Sequence, residues 1–280
     1  METTMSNIDH NTLVNLILSR IEPMIDKLSE EFQESSKDIG VRYCVIDDLL
    51  PQSIAEQIST AFPNPDCMRL MSSFREKKYT SKNLEKLDPL VGNITFAIQD
   101  PRVVAAVEQI TGIKNQIPDQ SLYAGGLSAM IKKHYLGPHL DNSHDGTRKY
   151  YRTLNLLYYV TPDWNFENGG NLELWDNSVL KNITLVSKFN RMIIMETTPW
   201  SWHSVSEVRV ERTRKCVSNY YFSPCSPIGS DYFNVTSFNA RPEQPFRRLL
   251  AGVDNRLRHA LRRVAPLGLG RKDVYRGTRD

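Results

Sequence analysis

Three histidines and two aspartates lie within the twelve residues 134–145, HYLGPHLDNSHD. His139 and Asp141 are two residues apart, and in a β-strand this spacing points both side chains to the same face. An imidazole and a carboxylate on one face could bind a single metal ion. The alternative is a histidine and an aspartate on the solvated face of a strand, because an H-x-D triplet is common by chance. A third ligand is needed to decide between the two.

His203, in the segment PWSWHSVSEV, is the candidate for that third ligand and lies 62 residues after Asp141. Two histidines and one carboxylate form the facial triad of non-haem Fe(II) enzymes, which leaves three octahedral positions open. Zinc sites more often contain a further histidine or a cysteine, and a closed structural site needs a fourth ligand. The pattern of His139, Asp141 and His203 therefore predicts an Fe(II) centre with open coordination positions.

Open positions on Fe(II) suit a 2-oxo acid, which binds through two atoms, together with O2. The distal carboxylate of such a co-substrate requires a cation nearby. The segment ERTRKCVSNYYF offers two, Arg214 and Lys215, which follow His203 by eleven and twelve residues. Because side chains alternate between the two faces of a strand, only one of these cations can face the interior. Alternation alone leaves open which one does.

The elements that must position these residues begin with helices. Apolar residues over 9–35 recur at spacings of three or four and predict a helix that Pro23 kinks or splits. The segment VRYCVIDDLLP predicts a strand, and Pro51 is expected to open the helix that follows. Residues 64–92 are polar and predict a long loop region, and DPRVVAAVEQITG predicts a short helix closed by Gly112.

From residue 121 onward, short β-branched and aromatic segments alternate with breaks rich in Pro, Gly and Asn. The segments are SAMIKKHYL, RTLNLLYYV, GNLELWD, RMIIMET and RKCVSNYYFS. This pattern of short strands and turns favours an antiparallel sandwich or barrel. Because predicted helices precede it, the expected fold class is α+β. We expect a helical support region over 1–120, a catalytic core over 121–225 that forms one domain with 36–120, and a basic C-terminal extension over 226–280.

The basic residues are concentrated near the end of the chain. Residues 241–280 contain eleven Lys and Arg against four Asp and Glu, whereas the remainder is mildly acidic. This asymmetry argues against a uniformly basic nucleic-acid binder. Residues 245–264 predict an amphipathic basic helix, which either docks on the barrel or lies on anionic lipid.

Targeting signals and the number and spacing of cysteines indicate the cellular location that the sequence predicts. The chain has no apolar run of eighteen residues and no signal-peptide pattern. Its four cysteines are scattered and form no C-x-x-C motif, which is typical of a reducing compartment. We therefore expect a cytoplasmic protein, with peripheral membrane contact through 245–264 as an added prediction. The oligomeric state is not indicated.

Residues 121–224, together with RYCVIDDLLPQSIAEQI, resemble the Fe(II)/2-oxoglutarate dioxygenases, specifically their prolyl-4-hydroxylase-like branch. The matching segments stand in order: HYLGPHLDN, RTLNLLYYV, NGGNLELW, FNRMIIME…WHSV and KCVSNYYF. The resemblance implies a double-stranded β-helix, or jelly-roll, core supported by N-terminal helices.

The same resemblance implies that His139, Asp141 and His203 are the iron ligands. Halogenating relatives have a small residue at the position of Asp141, so its carboxylate implies hydroxylation or another oxidation. The implied enzyme hydroxylates an unactivated C–H bond while 2-oxoglutarate is converted to succinate and CO2. Fe(II), 2-oxoglutarate and O2 are the implied cofactor and co-substrates, and ascorbate is a further candidate.

The resemblance also assigns residues to 2-oxoglutarate. It aligns Lys215, seven residues before Phe222, with the basic residue that binds the distal carboxylate, and Arg214 is kept as the alternative. Tyr135 and Tyr159 match tyrosines that hydrogen-bond the same co-substrate in related enzymes. The loop between Tyr135 and His139 is shorter than the family pattern.

The substrate class is left open. The branch suggests a prolyl residue in a protein or peptide, whereas the basic tail suggests a lipid-linked or sugar-phosphate compound presented at a membrane, and we favour this second interpretation. A non-catalytic jelly-roll module that binds 2-oxoglutarate or a sugar is the alternative of a different class, and the intact triad argues against it. A zinc or nickel hydrolase or isomerase is a third alternative, and Asp141 in place of a further histidine argues against it.

Overall fold

The computed structural model describes residues 8–81, 83–246 and 248. Helices α1 (His10–Ile21) and α2 (Ile25–Glu34) are separated by a short 3-10 turn that contains Pro23. Proline lacks an amide hydrogen and clashes with the preceding turn, so a continuous helix is interrupted there. The prediction of an N-terminal helix split at this proline is confirmed.

Four further helices lie among the described residues: α3 (Ser36–Ile39), α4 (Gln52–Ala61), α5 (Pro89–Ala97) and α6 (Pro101–Thr111). Helices α5 and α6 begin in the same way, because Asp88 and Asp100 cap the helix with their side chains and a proline occupies the first turn. Helix α6 ends at Gly112, which has a φ of 71°, as the sequence predicts. No helix among the described residues is long and apolar enough to cross a membrane.

Thirteen strands lie among the described residues: β1 (Tyr43–Ile46), β2 (Arg69–Ser72), β3 (Glu76–Ser81), β4 (Ile117–Pro118), β5 (Gly126–Met130), β6 (Tyr135–Leu140), β7 (Tyr151–Tyr159), β8 (Leu172–Trp175), β9 (Asn182–Leu185), β10 (Arg191–Glu196), β11 (His203–Val205), β12 (Arg214–Ser223) and β13 (Ser237–Phe238). Their order is β1-β10-β7-β12-β5-β3-β6-β11-β8-β9, with antiparallel neighbours, and β2, β4 and β13 pair off this path. The sheet curls so that its two ends face each other, and the predicted α+β fold with a double-stranded β-helix core is confirmed.

Two apolar clusters cover the two faces of strands β7 and β12. On the outer face, Leu156, Tyr158 and Val217 pack against the N-terminal helices. On the inner face, Tyr159 and Cys216 pack among apolar residues of β8 and β10. The helices therefore buttress the sheet from outside, and the interior of the barrel is left for the site.

Residues 64–92 differ from the predicted loop region. They contain the hairpin β2–β3, and β3 pairs with both β5 and β6. The segment Glu76–Ser81 is polar and carries no apolar alternation, so its strand conformation comes from pairing with two neighbours rather than from its own pattern. The segment SAMIKKHYL is likewise divided between β5 and β6.

The chain returns to the barrel after its last long strand. Strand β13 pairs with β6 through Ser237–Leu140 and Phe238–His139. Arg241 then forms a bidentate ion pair with the buried Glu173 on β8. The predicted amphipathic helix over 245–264 lies largely outside the described residues.

Candidate metal and co-substrate site

The three predicted metal ligands meet at one end of the barrel. His203 on β11 pairs directly with His139 on β6, and Asp141 follows the end of β6. Asp141 Oδ1 lies 3.8 Å from His139 Nε2, and its Oδ2 lies 3.6 Å from His203 Nε2. All three side chains are buried, and their ligand atoms lie within 4.8 Å of one another. The pairing of two antiparallel strands thus brings together side chains that are 62 residues apart in sequence.

Hydrogen bonds fix both imidazoles with Nε2 directed at the shared space. Nδ1 of His139 lies 3.0 Å from the Gly137 carbonyl oxygen, and Nδ1 of His203 lies 3.0 Å from that of Ser201. A carbonyl can only accept, so each Nδ1 carries the proton and each Nε2 keeps its lone pair. Phe238 stacks on the His139 ring with centroids 5.5 Å apart. Both rings are therefore oriented as metal ligands.

The protonation states suit a divalent cation. Burial acts to raise the pKa of Asp141, but the Arg152 guanidinium and the two imidazoles hold that pKa below its usual range. Burial, reinforced by the neighbouring His203, lowers the pKa of His139 to about 3. One ionised carboxylate and two neutral nitrogens form a donor set that fits Fe(II).

Arg214 lies on the inner face of β12. Its side chain is only 3% exposed, its guanidinium stacks over the Tyr159 ring at 4.7 Å, and its Nε donates to Ser187 Oγ at 3.2 Å. No carboxylate pairs with it in the described part of the chain, and the buried Tyr159 hydroxyl has no hydrogen-bond partner there. A buried cation without a counter-ion beside an unsatisfied hydroxyl is costly unless an anionic ligand binds both. These two residues fit the distal carboxylate of 2-oxoglutarate.

Lys215 faces the opposite way. Its Nζ donates to the Ser59 carbonyl oxygen of α4 at 2.7 Å. Its neighbours on that face, Val217 and Asn219, contact the helical layer, where Gln99 donates to Asn219 at 2.8 Å. The expected placement of Lys215 at the co-substrate is therefore wrong, because this face of β12 is the one that the helices cover. Arg214 is the cation that faces inward.

The other predicted residues divide between interior and surface. Tyr159 lies inside, beside Arg214. The Tyr135 hydroxyl instead donates to the Phe74 carbonyl oxygen at 3.2 Å, so this side chain lies against the β2–β3 turn and not in the interior. His134 stacks on Tyr79, and the His144 ring packs against Tyr151 at a tilt of 44°, and neither histidine joins the metal-ligand group.

The sequence interpretation missed two contributors. Asn155 on β7 donates to Asp141 Oδ2 at 2.9 Å. Asn234, beyond the barrel strands, donates to the Asp141 carbonyl oxygen at 2.7 Å. Strand alternation from Tyr159 back to Asn155 would have placed the first of these inside the barrel. No sequence signal marks Asn234, because its contact depends on how the chain returns to β6.

Comparison with protein families agrees with this geometry. Residues 125–222 match the model described as the 2OG-Fe(II) oxygenase superfamily. The matched residues contain the triad and Arg214, and the resemblance expected from the sequence is confirmed. That family uses Fe(II) and 2-oxoglutarate, which are the metal and the co-substrate expected from the sequence.

Two curated relatives that the chain matches are named as prolyl hydroxylases. The chain is 30% identical over 90 residues to the prolyl 3-hydroxylase OGFOD1 of Mus musculus and 32% identical over 95 residues to the protein of the same name from Xenopus laevis. These alignments cover 29% and 31% of this chain. They span only 16% and 19% of the length of the two relatives.

Solved structures show the same fold at low identity. A prolyl hydroxylase of Trichoplax adhaerens, in complex with a hypoxia inducible factor peptide, aligns with a TM-score of 0.50 and 17% identity, over 72% of this chain and 92% of that one. A prolyl-4-hydroxylase of Pseudomonas putida aligns with a TM-score of 0.51 and 12% identity, over 70% and 98%. At these identities the likeness establishes the fold alone.

Proposed function

We propose that the protein is an Fe(II)- and 2-oxoglutarate-dependent dioxygenase that hydroxylates an unactivated C–H bond and releases succinate and CO2. One observation carries the proposal: a buried triad and a buried Arg214, which has no carboxylate partner among the described residues, occupy the interior of the same barrel. The triad suits the metal, and Arg214 suits the distal carboxylate of a 2-oxo acid. Neither part alone would separate this function from a metal-binding or anion-binding module.

In this proposal each residue has a defined task. His139, Asp141 and His203 hold the metal, and bound Fe(II) supplies the O2 activation that the side chains cannot. Arg214 binds the distal carboxylate through its guanidinium, with the Tyr159 hydroxyl as a second donor. The apolar residues packed around Tyr159 exclude water and strengthen this charge pairing.

The anaerobic binding of Fe(II) and 2-oxoglutarate tests the proposal directly. A 2-oxo acid chelated to Fe(II) produces a visible metal-to-ligand charge-transfer band. We expect the band in the wild-type protein and its loss in Asp141→Ala, which lacks one ligand. Absence of the band from folded, iron-loaded wild-type protein would contradict the proposal and favour the non-catalytic binding module.

For the substrate we propose a prolyl residue in an extended peptide. Two exposed aromatic side chains lie on segments that contact the ligand-bearing region: Phe74 is 48% exposed on the β2–β3 turn, whose backbone accepts from Tyr135 of β6, and Phe233 is 46% exposed beside His144 and next to Asn234. Exposed aromatic rings are typical of surfaces that bind proline-containing segments. The named functions of the curated relatives support the same substrate class.

Matched peptides test this substrate class. Succinate formation should rise with proline-containing peptides and not with the same peptides carrying alanine in place of proline. An equal response to both members of each pair, or to neither, would contradict a prolyl substrate.

A lipid-linked or sugar-phosphate substrate is the second candidate. Its support is the excess of Lys and Arg over 241–280, which would attract anionic headgroups. Anionic liposomes should then pellet the full chain but not a chain ending at Arg248. Equal pelleting of both chains would contradict a role for the tail.

A further inference from the structure

Two side chains of strand β7 contact the Asp141 carboxylate, although their spacing in sequence should place them on opposite faces of the strand. Arg152 and Asn155 are three residues apart, so in a regular strand they would point to opposite faces. The ladder with β12 shifts register here: Phe222 pairs with Arg152, and Tyr221 pairs with Leu154. A β-bulge of this kind redirects a side chain. It allows both Arg152 and Asn155 to reach Asp141.

Arg152 is held at one oxygen of the carboxylate. Its Nη1 lies 3.1 Å from Asp141 Oδ1, and its Nη2 donates to Asn142 Oδ1 at 2.8 Å. The guanidinium also stacks over the Tyr220 ring at 4.6 Å. The side chain is 3% exposed, so this cation is fixed in position and little screened by water.

Asn155 is held at the other oxygen. Its Nδ2 donates to Asp141 Oδ2 at 2.9 Å, and its own Oδ1 accepts from Thr197 Oγ1 at 3.2 Å. The hydroxyl of Thr197 therefore fixes the amide so that its NH2 group faces the carboxylate. Asn155 is fully buried, and its orientation is set by these two bonds.

The two oxygens of Asp141 consequently differ in their availability to a cation. Oδ1 lies 3.8 Å from His139 Nε2, but the guanidinium at 3.1 Å repels a divalent ion from that atom, whereas the neutral amide at Oδ2 orients the atom without repulsion. We propose that Arg152 and Asn155 are positioning residues that restrict Asp141 to ligating the metal through one oxygen, Oδ2. The inference rests on the proposed function.

Restriction to one oxygen matters for the co-substrates. A facial triad with a single carboxylate oxygen leaves three of six positions open. A carboxylate that ligated through both oxygens would occupy a fourth position and leave two. Two positions accommodate a chelating 2-oxo acid but leave none for O2.

Counting the waters on bound Mn(II) tests the inference without turnover. Broadening of the Mn(II) electron paramagnetic resonance lines by 17O-labelled water, without 2-oxoglutarate, reports how many waters the ion holds. We expect three in the wild-type protein and two in Arg152→Met, in which both carboxylate oxygens are free to ligate. Arg152→Lys keeps the charge at Oδ1 and should hold three.

A matched control separates this role from general stability. Arg191→Met removes a different arginine, which is partly buried and pairs with Asp47 at 2.6 Å on another part of the sheet, and this variant should hold three waters. Asn155→Leu should weaken Mn(II) binding by roughly 10-fold, because the group that orients Oδ2 is lost. If Arg152→Met does not fold, Arg152→Gln replaces it with the same expectation of two waters.

The outcomes distinguish this inference from the proposed function. Three waters in the neutral Arg152 variants, or unchanged Mn(II) affinity in Asn155→Leu, would overturn the positioning role. A folded wild-type protein that binds no Mn(II) would instead contradict the proposed function itself.

Discussion

Arg214 and Lys215 are adjacent in sequence, and the barrel gives them unrelated environments. Arg214 lies inside against Tyr159, and Lys215 lies outside against α4. Strand alternation predicts that the two must diverge. It cannot predict which of them faces inward, because that depends on the face of β12 that the helices cover.

Substitution of each cation by methionine should separate their roles. If 2-oxoglutarate binds as proposed, Arg214→Met leaves its distal carboxylate buried without a charged partner, so its affinity should fall by about 3 kcal/mol, roughly 100-fold. Lys215→Met removes a contact to Ser59 on the opposite face and should leave the affinity unchanged. Titration of the anaerobic charge-transfer band measures both. Equal losses in the two variants would contradict the assignment of Arg214.

At the scale of secondary-structure elements, the strands that carry the site were predictable and their partners were not. The segments around His139, Tyr159 and Arg214 are rich in β-branched and aromatic residues, which marks them as strands. The hairpin β2–β3 lacks that signal because its stability comes from pairing. The bulge near Arg152 also escaped prediction, since it changes the face of a side chain without changing the composition of the strand.

The turn that leads into β8 depends on its first glycine. Gly169 has a φ of 68°, and a Cβ added there would lie 1.9 Å from the Glu207 carbonyl oxygen. Gly169→Ala should therefore lower the free energy of unfolding by about 3 kcal/mol or more, from backbone strain and from the clash. Chemical denaturation measures the change.

Gly229→Ala is the matched control for this turn. Gly229 has a φ of 72°, but among the described residues other than its chain neighbours no atom lies within 4 Å of an added Cβ. Only the backbone strain should remain, at about 1 kcal/mol. Similar losses in the two variants would mean that the close approach to Glu207 does not matter for stability.

At the scale of the whole molecule, residues beyond the last long strand contact the candidate metal site. Asn234 binds the Asp141 backbone, Phe238 stacks on His139, and Arg241 pairs with Glu173. The C-terminal extension predicted over 226–280 is therefore not uniform. Asn234 and Phe238 contact two of the candidate ligands, and Arg241 attaches the same segment to β8, whereas the predicted amphipathic helix follows later in the sequence.

Two truncated chains test this division. A chain ending at Arg248 retains all three contacts and should form the charge-transfer band as the full chain does. A chain ending at Ser230 loses them and should bind Fe(II) and 2-oxoglutarate more weakly, because β6 and the His139 ring lose their support. Circular dichroism verifies that both chains fold. An unchanged band in the shorter chain would contradict a structural role for 231–241.

The return of the chain to β6 also has a consequence for biosynthesis. His203, the last of the three candidate ligands, leaves the ribosome 35 residues before Phe238, an interval of about 2 to 7 s at typical elongation rates. During that interval the ligand-bearing strands lack the segment that later covers them. We expect metal to enter most readily in nascent chains and to exchange slowly once synthesis is complete.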